Sequence, residues 1–178
     1  NNADNWENGV LYIGQYLIAA DSKISGSCIV KPGTRLIAYS AFSNCTKLTG
    51  VTFPDSLTII VSGAFSGCTK LTSITIPGRV TSIGNTAFSG CTNLTTVTVA
   101  ADNPVYHSAG NCLIETKSKT LILGCKNSII PDDGSVTSIG NYAFSGCTGL
   151  TSITLPDSLT DIGSYAFYHC TGLTGITL

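Results

Sequence analysis

Apolar residues recur along this chain at a mixture of spacings. From Cys68 they run Leu71, Ile74, Ile76, Val80, Ile83, Ala87 and Phe88, with mostly Ser, Thr and Gly between them. The alternation around Ile74 and Ile76 predicts a short strand that buries those two and turns Ser73 and Thr75 to solvent. Pro77 has no N–H to donate and ends the strand. Beyond it, Val80, Ile83, Ala87 and Phe88 fall at spacings near three and four, predicting an outer arc of tight turns or short 3₁₀-like pieces with Gly84 at a sharp corner. The arc leads back to the next strand.

The unit repeats. Ala-Phe, two variable residues, Cys and then Leu occur at Ala41…Cys45…Leu48, Ala64…Cys68…Leu71, Ala87…Cys91…Leu94, Ala143…Cys147…Leu150 and Ala166…Cys170…Leu173. The first three copies start 23 residues apart, as do the last two. A fixed period of this size marks a solenoid whose units bury their apolar sides against their neighbours.

Leu150 to Cys170 resembles the pattern L-x-x-[IV]-x-[IL]-P-x-x-[VL]-x-x-I-G-x-x-A-F-x-x-C of the BspA-like, or Treponema-type, leucine-rich repeat family, and the resemblance runs from about Ser27 to Leu178. It implies an α/β-type repeat solenoid: a right-handed leucine-rich-repeat horseshoe with short parallel strands on its concave face and irregular or short helical convex arcs. It also implies a bacterial or protozoan protein, secreted or displayed at the cell surface, that binds a host or matrix protein.

The spacing from Ala87 to Ala143 is longer than one unit. There Gly110-Asn111-Cys112-Leu113-Ile114 faces Thr120-Leu121-Ile122-Leu123-Gly124 across the polar turn Thr116 to Lys119, a hairpin signal. Near the start, Gly9 to Ile13 and Tyr16 to Ile18 flank a Gly14-Gln15 turn in the same way. These read as two hairpin-bearing variants of one repeat. The expected organisation is a single domain over 1–178: a tail and hairpin at 1–26, regular repeats at 27–99, a hairpin insert at 100–127 and regular repeats at 128–178. Strands near residues 29, 52, 75, 98, 129, 154 and 177 would form one parallel ladder of about seven. The chain lacks Met and opens in Asn1-Asn2-Ala3, which leads us to expect a processed form or a fragment of a longer array.

Composition narrows the chemistry. The 178 residues are 43% hydrophobic, but Thr, Ser and Gly interrupt every apolar run before it could span a bilayer. Membrane insertion is therefore not expected, and nine basic residues against ten acidic ones, with no basic stripe, argue against nucleic acid or an anionic membrane as a partner. Five of the eight cysteines (Cys45, Cys68, Cys91, Cys147 and Cys170) hold one repeat position, so their Cβ vectors run parallel where a disulfide needs convergent ones; they read as reduced core thiols. Cys112 and Cys125 flank the hairpin, Cys112 facing Leu123, which leaves only a diagonal bond open to them. No C-x-x-C pair points to zinc, no cofactor motif is present, and Asp132-Asp133 before Gly134 fits a turn better than a calcium loop. His107 and His169 stand outside any motif, so no enzyme is expected.

Function is then expected on the surface that stacking creates. The concave face would carry Thr52, Ser73, Thr75, Thr96, Thr98, Ser152, Thr154 and Thr177, a carpet of small hydroxyls without aromatic or Arg anchors. Anchors are expected on the irregular pieces instead: Trp6, Tyr12 and Tyr16 at the first hairpin, and Tyr106, His107, Lys117 and Lys119 at the second, with packed aromatics and solvated lysines as the alternative. The leading reading is a non-enzymatic interaction or adhesion module for a host, matrix or neighbouring-cell protein. A spacer without its own ligand, and polysaccharide or ice binding by the Thr rows, are the alternatives.

Overall fold

A computed structural model of the protein describes residues 5–178. Its repeats wind into a β-solenoid whose coils meet along three sides. On the first side lie the expected strands, Ser25–Ile29, Lys47–Thr52, Ser73–Ile76, Thr96–Val99, Ser152–Thr154 and Gly175–Thr177. They alternate as the pattern requires: Ile74 and Ile76 are buried while Ser73 and Thr75 are exposed.

The predicted unbroken ladder of seven is not formed. The strands pair in parallel as Ser25–Ile29 with Lys47–Thr52, Ser73–Ile76 with Thr96–Val99, and Ser152–Thr154 with Gly175–Thr177. The segment at 129 is no strand. Ile129 donates its N–H to the Gly110 carbonyl of the insert, and Pro131 two residues on has no N–H to offer.

The outer arc also differs from expectation. It contains no helix among the described residues, but a second parallel ladder of two-residue strands: Leu36–Ile37, Ile59–Ile60 and Ser82–Ile83 in one sheet, Ser138–Ile139 and Asp161–Ile162 in another. One residue per coil faces inward here, and Ile37, Ile60 and Ile139 are fully buried. So short a strand leaves almost no alternation in the sequence, and only its stacking on the next coil reveals it. Gly84 is needed for a different reason than a left-handed corner: a Cβ there would stand 2.3 Å from the Ser62 backbone nitrogen of the preceding coil.

The third side is the Ala-Phe-x-x-Cys turn, whose backbone is hydrogen-bonded from coil to coil. Phe42 donates to the Ala64 carbonyl, Phe65 to Ala87 and Phe144 to Ala166. The phenylalanines stack inside it, Phe42 on Phe65 at 4.9 Å, Phe65 on Phe88 at 5.3 Å and Phe144 on Phe167 at 5.1 Å between ring centres. Phe167 is half-buried and stacks on Phe144 alone.

Each thiol of the repeat column reaches the coil before it. Cys68 Sγ lies 3.1 Å from the Phe42 carbonyl, Cys91 Sγ 3.3 Å from that of Phe65 and Cys170 Sγ 3.0 Å from that of Phe144. The same carbonyls accept the amide of the Cys in their own turn, so the thiol occupies their second lone pair. All eight cysteines are free. A register shift in the insert hairpin sets Leu113, rather than Cys112, opposite Leu123.

Both inserts are larger than two strands. Trp6–Glu7 pairs antiparallel with Val10–Ile13, which pairs antiparallel with Tyr16–Ala20; that strand then joins the second ladder in parallel beside Leu36–Ile37. Tyr106–Ala109, Cys112–Glu115 and Thr120–Leu123 repeat the arrangement and join Ser138–Ile139. The added turns, Asn8-Gly9 and Gly110-Asn111, place both central residues at positive φ, 50° and 80° in one and 55° and 57° in the other. These dipeptides are a strong hairpin signal in sequence.

The second insert divides the interior. Leu113, Leu123 and Cys125 belong to the core of the preceding coils, whereas Cys112, Ile114 and Leu121 belong to that of the following coils. Alternation along Cys112–Ile114, together with the register shift that sends Leu121 and Leu123 to opposite sides, makes the hairpin a wall with an apolar face on each side.

Candidate functional site

The predicted anchors do not all reach the surface. Tyr12 and Tyr106 are buried, at 5% and 6% exposure, and line the core. The hydroxyl of Tyr12 accepts the Lys31 amide, and burial raises both phenols above their ordinary range. They sit at inward positions of their strands, which corrects their assignment as contact residues. Trp6 and Tyr16 remain exposed on the first insert. On the second, His107 is half-buried with Nδ1 2.9 Å from Thr116 Oγ1, Lys117 is free in solvent, and Lys119 Nζ donates to the Gly134 carbonyl at 2.9 Å.

The hydroxyl carpet is present. Thr52, Ser73, Thr75, Thr96, Thr98, Ser152, Thr154 and Thr177 are all exposed, and Thr75 and Thr98 sit opposite each other with their hydroxyls 2.9 Å apart. Strand pairing along it is two by two, with the Thr72 amide hydrogen-bonded to the Thr49 carbonyl between the first two pairs.

A different surface gathers aromatic side chains that the sequence reading passed over. In the last coil, Tyr165 and Tyr168 are 59% and 50% exposed. Tyr165 stacks on Tyr142 of the coil before at 5.1 Å and meets Tyr168 edge-on at 5.5 Å, while Tyr168 lies 4.1 Å from the His169 ring. Tyr142, Tyr165 and His169 all have φ near +60°, a conformation that costs an L-residue about 1 kcal/mol. Elsewhere in the array smaller, non-aromatic residues stand at these places: Ser40, Gly63 and Thr86 in register with Tyr165, Ser43, Ser66, Ser89 and Ser145 with Tyr168, and Asn44, Gly67, Gly90 and Gly146 with His169. Setting the five copies side by side would have exposed the departure.

No group of three or more His, Cys, Asp or Glu side chains is placed to hold a metal among the described residues. Burial pushes the thiols out of the reactive range, Cys45 to about 11 and Cys68, Cys112 and Cys147 to about 12, with Cys91 higher than its ordinary value as well. No helix is long and apolar enough to cross a membrane among the described residues.

Six copies of the BspA type leucine rich repeat region match the sequence over residues 11–134 and 124–178. The chain belongs to this family. The BspA-type fold is shared with a leucine rich cell surface protein of Faecalibacterium prausnitzii A2-165, at TM-score 0.74 and 37% identity over 86% of this chain and 41% of that one. The pneumococcal vaccine antigen PcpA is similar at TM-score 0.71 and 24% identity, over 88% of this chain and 40% of its own. The T. pallidum leucine rich repeat protein covers 99% of this chain and 81% of its own at TM-score 0.50 and 20% identity. The chain thus spans about two fifths of the length of the first two. No curated protein matches the sequence. The BspA-type repeats account for the solenoid and are the kind of scaffold that mediates protein–protein contact; the aromatic patch is a departure of this chain from its own repeat.

Proposed function

We propose that this chain is a non-enzymatic protein-binding module of a secreted or surface-displayed bacterial protein, curved as a right-handed horseshoe and engaging a host, matrix or neighbouring-cell protein. The supporting observation is the patch of Tyr142, Tyr165, Tyr168 and His169, where Tyr165, Tyr168 and His169 are exposed and Tyr165 and His169 accept left-handed backbone. Exposed tyrosines are typical anchors of protein interfaces, and local strain concentrates at functional positions. The cell-surface description of the Faecalibacterium relative supports the location. Trp6, Tyr16, His107, Lys117 and Lys119 form a secondary surface on the inserts. Polysaccharide or ice binding by the Thr rows is disfavoured by ladders only two strands wide.

The test restores the residues that the repeat uses elsewhere: Tyr165→Gly, Tyr168→Ser and His169→Gly together. Wild-type protein is expected to retain at least one member of an immobilised panel of host and matrix proteins. The triple variant is expected to bind it about tenfold more weakly, about 1.4 kcal/mol, with its melting temperature unchanged or raised. A wild-type protein that retains nothing would make the chain a spacer, and an unweakened variant would move the contact to the inserts.

A further inference from the structure

Two further departures from the repeat meet in one place. The chain has only two arginines, Arg35 and Arg79, and both line a single cleft of about 330 Å³ together with Gln15, Gly33, Ser56 and Thr58. Arg35 stands in a column that is otherwise threonine: Thr58, Thr81, Thr137 and Thr160. Arg79 stands in a column otherwise made of Gly33, Ser56, Ser135 and Ser158. The two long side chains therefore flank a floor of small residues, and a Cβ at Gly33 would meet nothing within 4 Å. No carboxylate lines the cleft, and neither guanidinium is in an ion pair among the described residues. The floor is polar: Ser56 and Thr58 donate their hydroxyls to the carbonyls of Thr34 and Arg35, which leaves their oxygen lone pairs free to accept.

We propose that this cleft binds an oxyanion, a sulfate, phosphate or carboxylate group, carried on a saccharide. Guanidinium is planar and presents paired N–H groups that match such oxyanions in bidentate fashion. The hydroxyl and amide floor of Ser56, Thr58 and Gln15 accepts the O–H groups of a sugar, and no aromatic or large aliphatic side chain lines the cleft. The site is separate from the aromatic patch of the last coil and does not depend on it.

Calorimetric titration of the whole chain at constant ionic strength tests this with three probes: a fully sulfated heparin-derived disaccharide, its unsulfated counterpart, and sodium sulfate. The sulfated disaccharide is expected to bind, and Arg35→Thr or Arg79→Ser to weaken it by about tenfold or more. Both substitutions install the residue the repeat uses elsewhere, so the fold is preserved, which circular dichroism verifies. Lys70→Gln removes the same charge from an exposed site outside the cleft and is expected to change nothing. Equal binding of sulfate and disaccharide, both lost in the arginine variants, would assign the site to the free anion instead of the saccharide. Equal weakening by Lys70→Gln, or no binding of either sulfated probe, would overturn the proposal.

Discussion

A single side chain in this molecule is judged by what the coils on either side do with it. Phe65 lies between Phe42 and Phe88 and is fully buried, so Phe65→Ala opens a cavity on two sides and is expected to cost about 3–5 kcal/mol by urea denaturation. Phe167→Ala, half-exposed at the last coil, should cost distinctly less. The cysteines make a pH-dependent contribution whose sign follows from their burial. Folded thiols held at about 11 to 12, against an ordinary value of 9.0, keep their protons after unfolded thiols have lost theirs. Their stabilisation is complete below pH 9 and is lost as pH rises toward 12, so the denaturation midpoint should fall steeply across that window. For the same reason native protein at pH 8 should give almost no reaction with a thiol reagent, Cys170 alone being partly exposed, whereas unfolded protein should titrate all eight.

Among the elements, what was legible in sequence depended on how many residues carried each signal. The first-side strands, the two hairpins and the Phe and Cys columns were readable because each rests on several apolar positions in a period. The second ladder was not, since a two-residue strand such as Ser82–Ile83 has no alternation to detect. The outer strands Trp6–Glu7 and Tyr106–Ala109 were readable in principle from Asn8-Gly9 and Gly110-Asn111 and were missed. Tyr12 and Tyr106 were misjudged because irregular segments attract an expectation of exposure, while pairing on one side and coils on the other bury their inward face. The turn at Gly110 permits a sharp test: its φ is +55° and a Cβ would stand 1.9 Å from the Ile129 carbonyl oxygen. Gly110→Ala is expected to lower stability by more than the roughly 1 kcal/mol that a left-handed alanine costs alone, measurable as a shift in melting temperature. Gly134→Ala, which has open space at +78°, should show the backbone cost only.

At the scale of the molecule, two interiors meet at one wall. Coils before it share one buried cluster and coils after it another, with Leu113 and Ile114 on opposite faces of the same strand. Stability in such an array is close to a sum of unit and neighbour terms, so Leu113→Ala should weaken the first set of coils and Ile114→Ala the second. Hydrogen exchange resolved along the chain checks this: faster exchange at Ile60 and Ile83 in the first variant, at Ile139 and Ile153 in the second. Uniform acceleration in both would mean that the array opens as one cooperative body.

Under load, the wall acquires a mechanical meaning. Tension unpeels a solenoid coil by coil, each regular coil of 23 residues releasing about 80 Å of slack. The hairpin at Cys112–Leu123 is gripped on both faces and yields after its neighbours. An array built this way should lengthen in small steps around a holding point, dissipating a sudden load coil by coil.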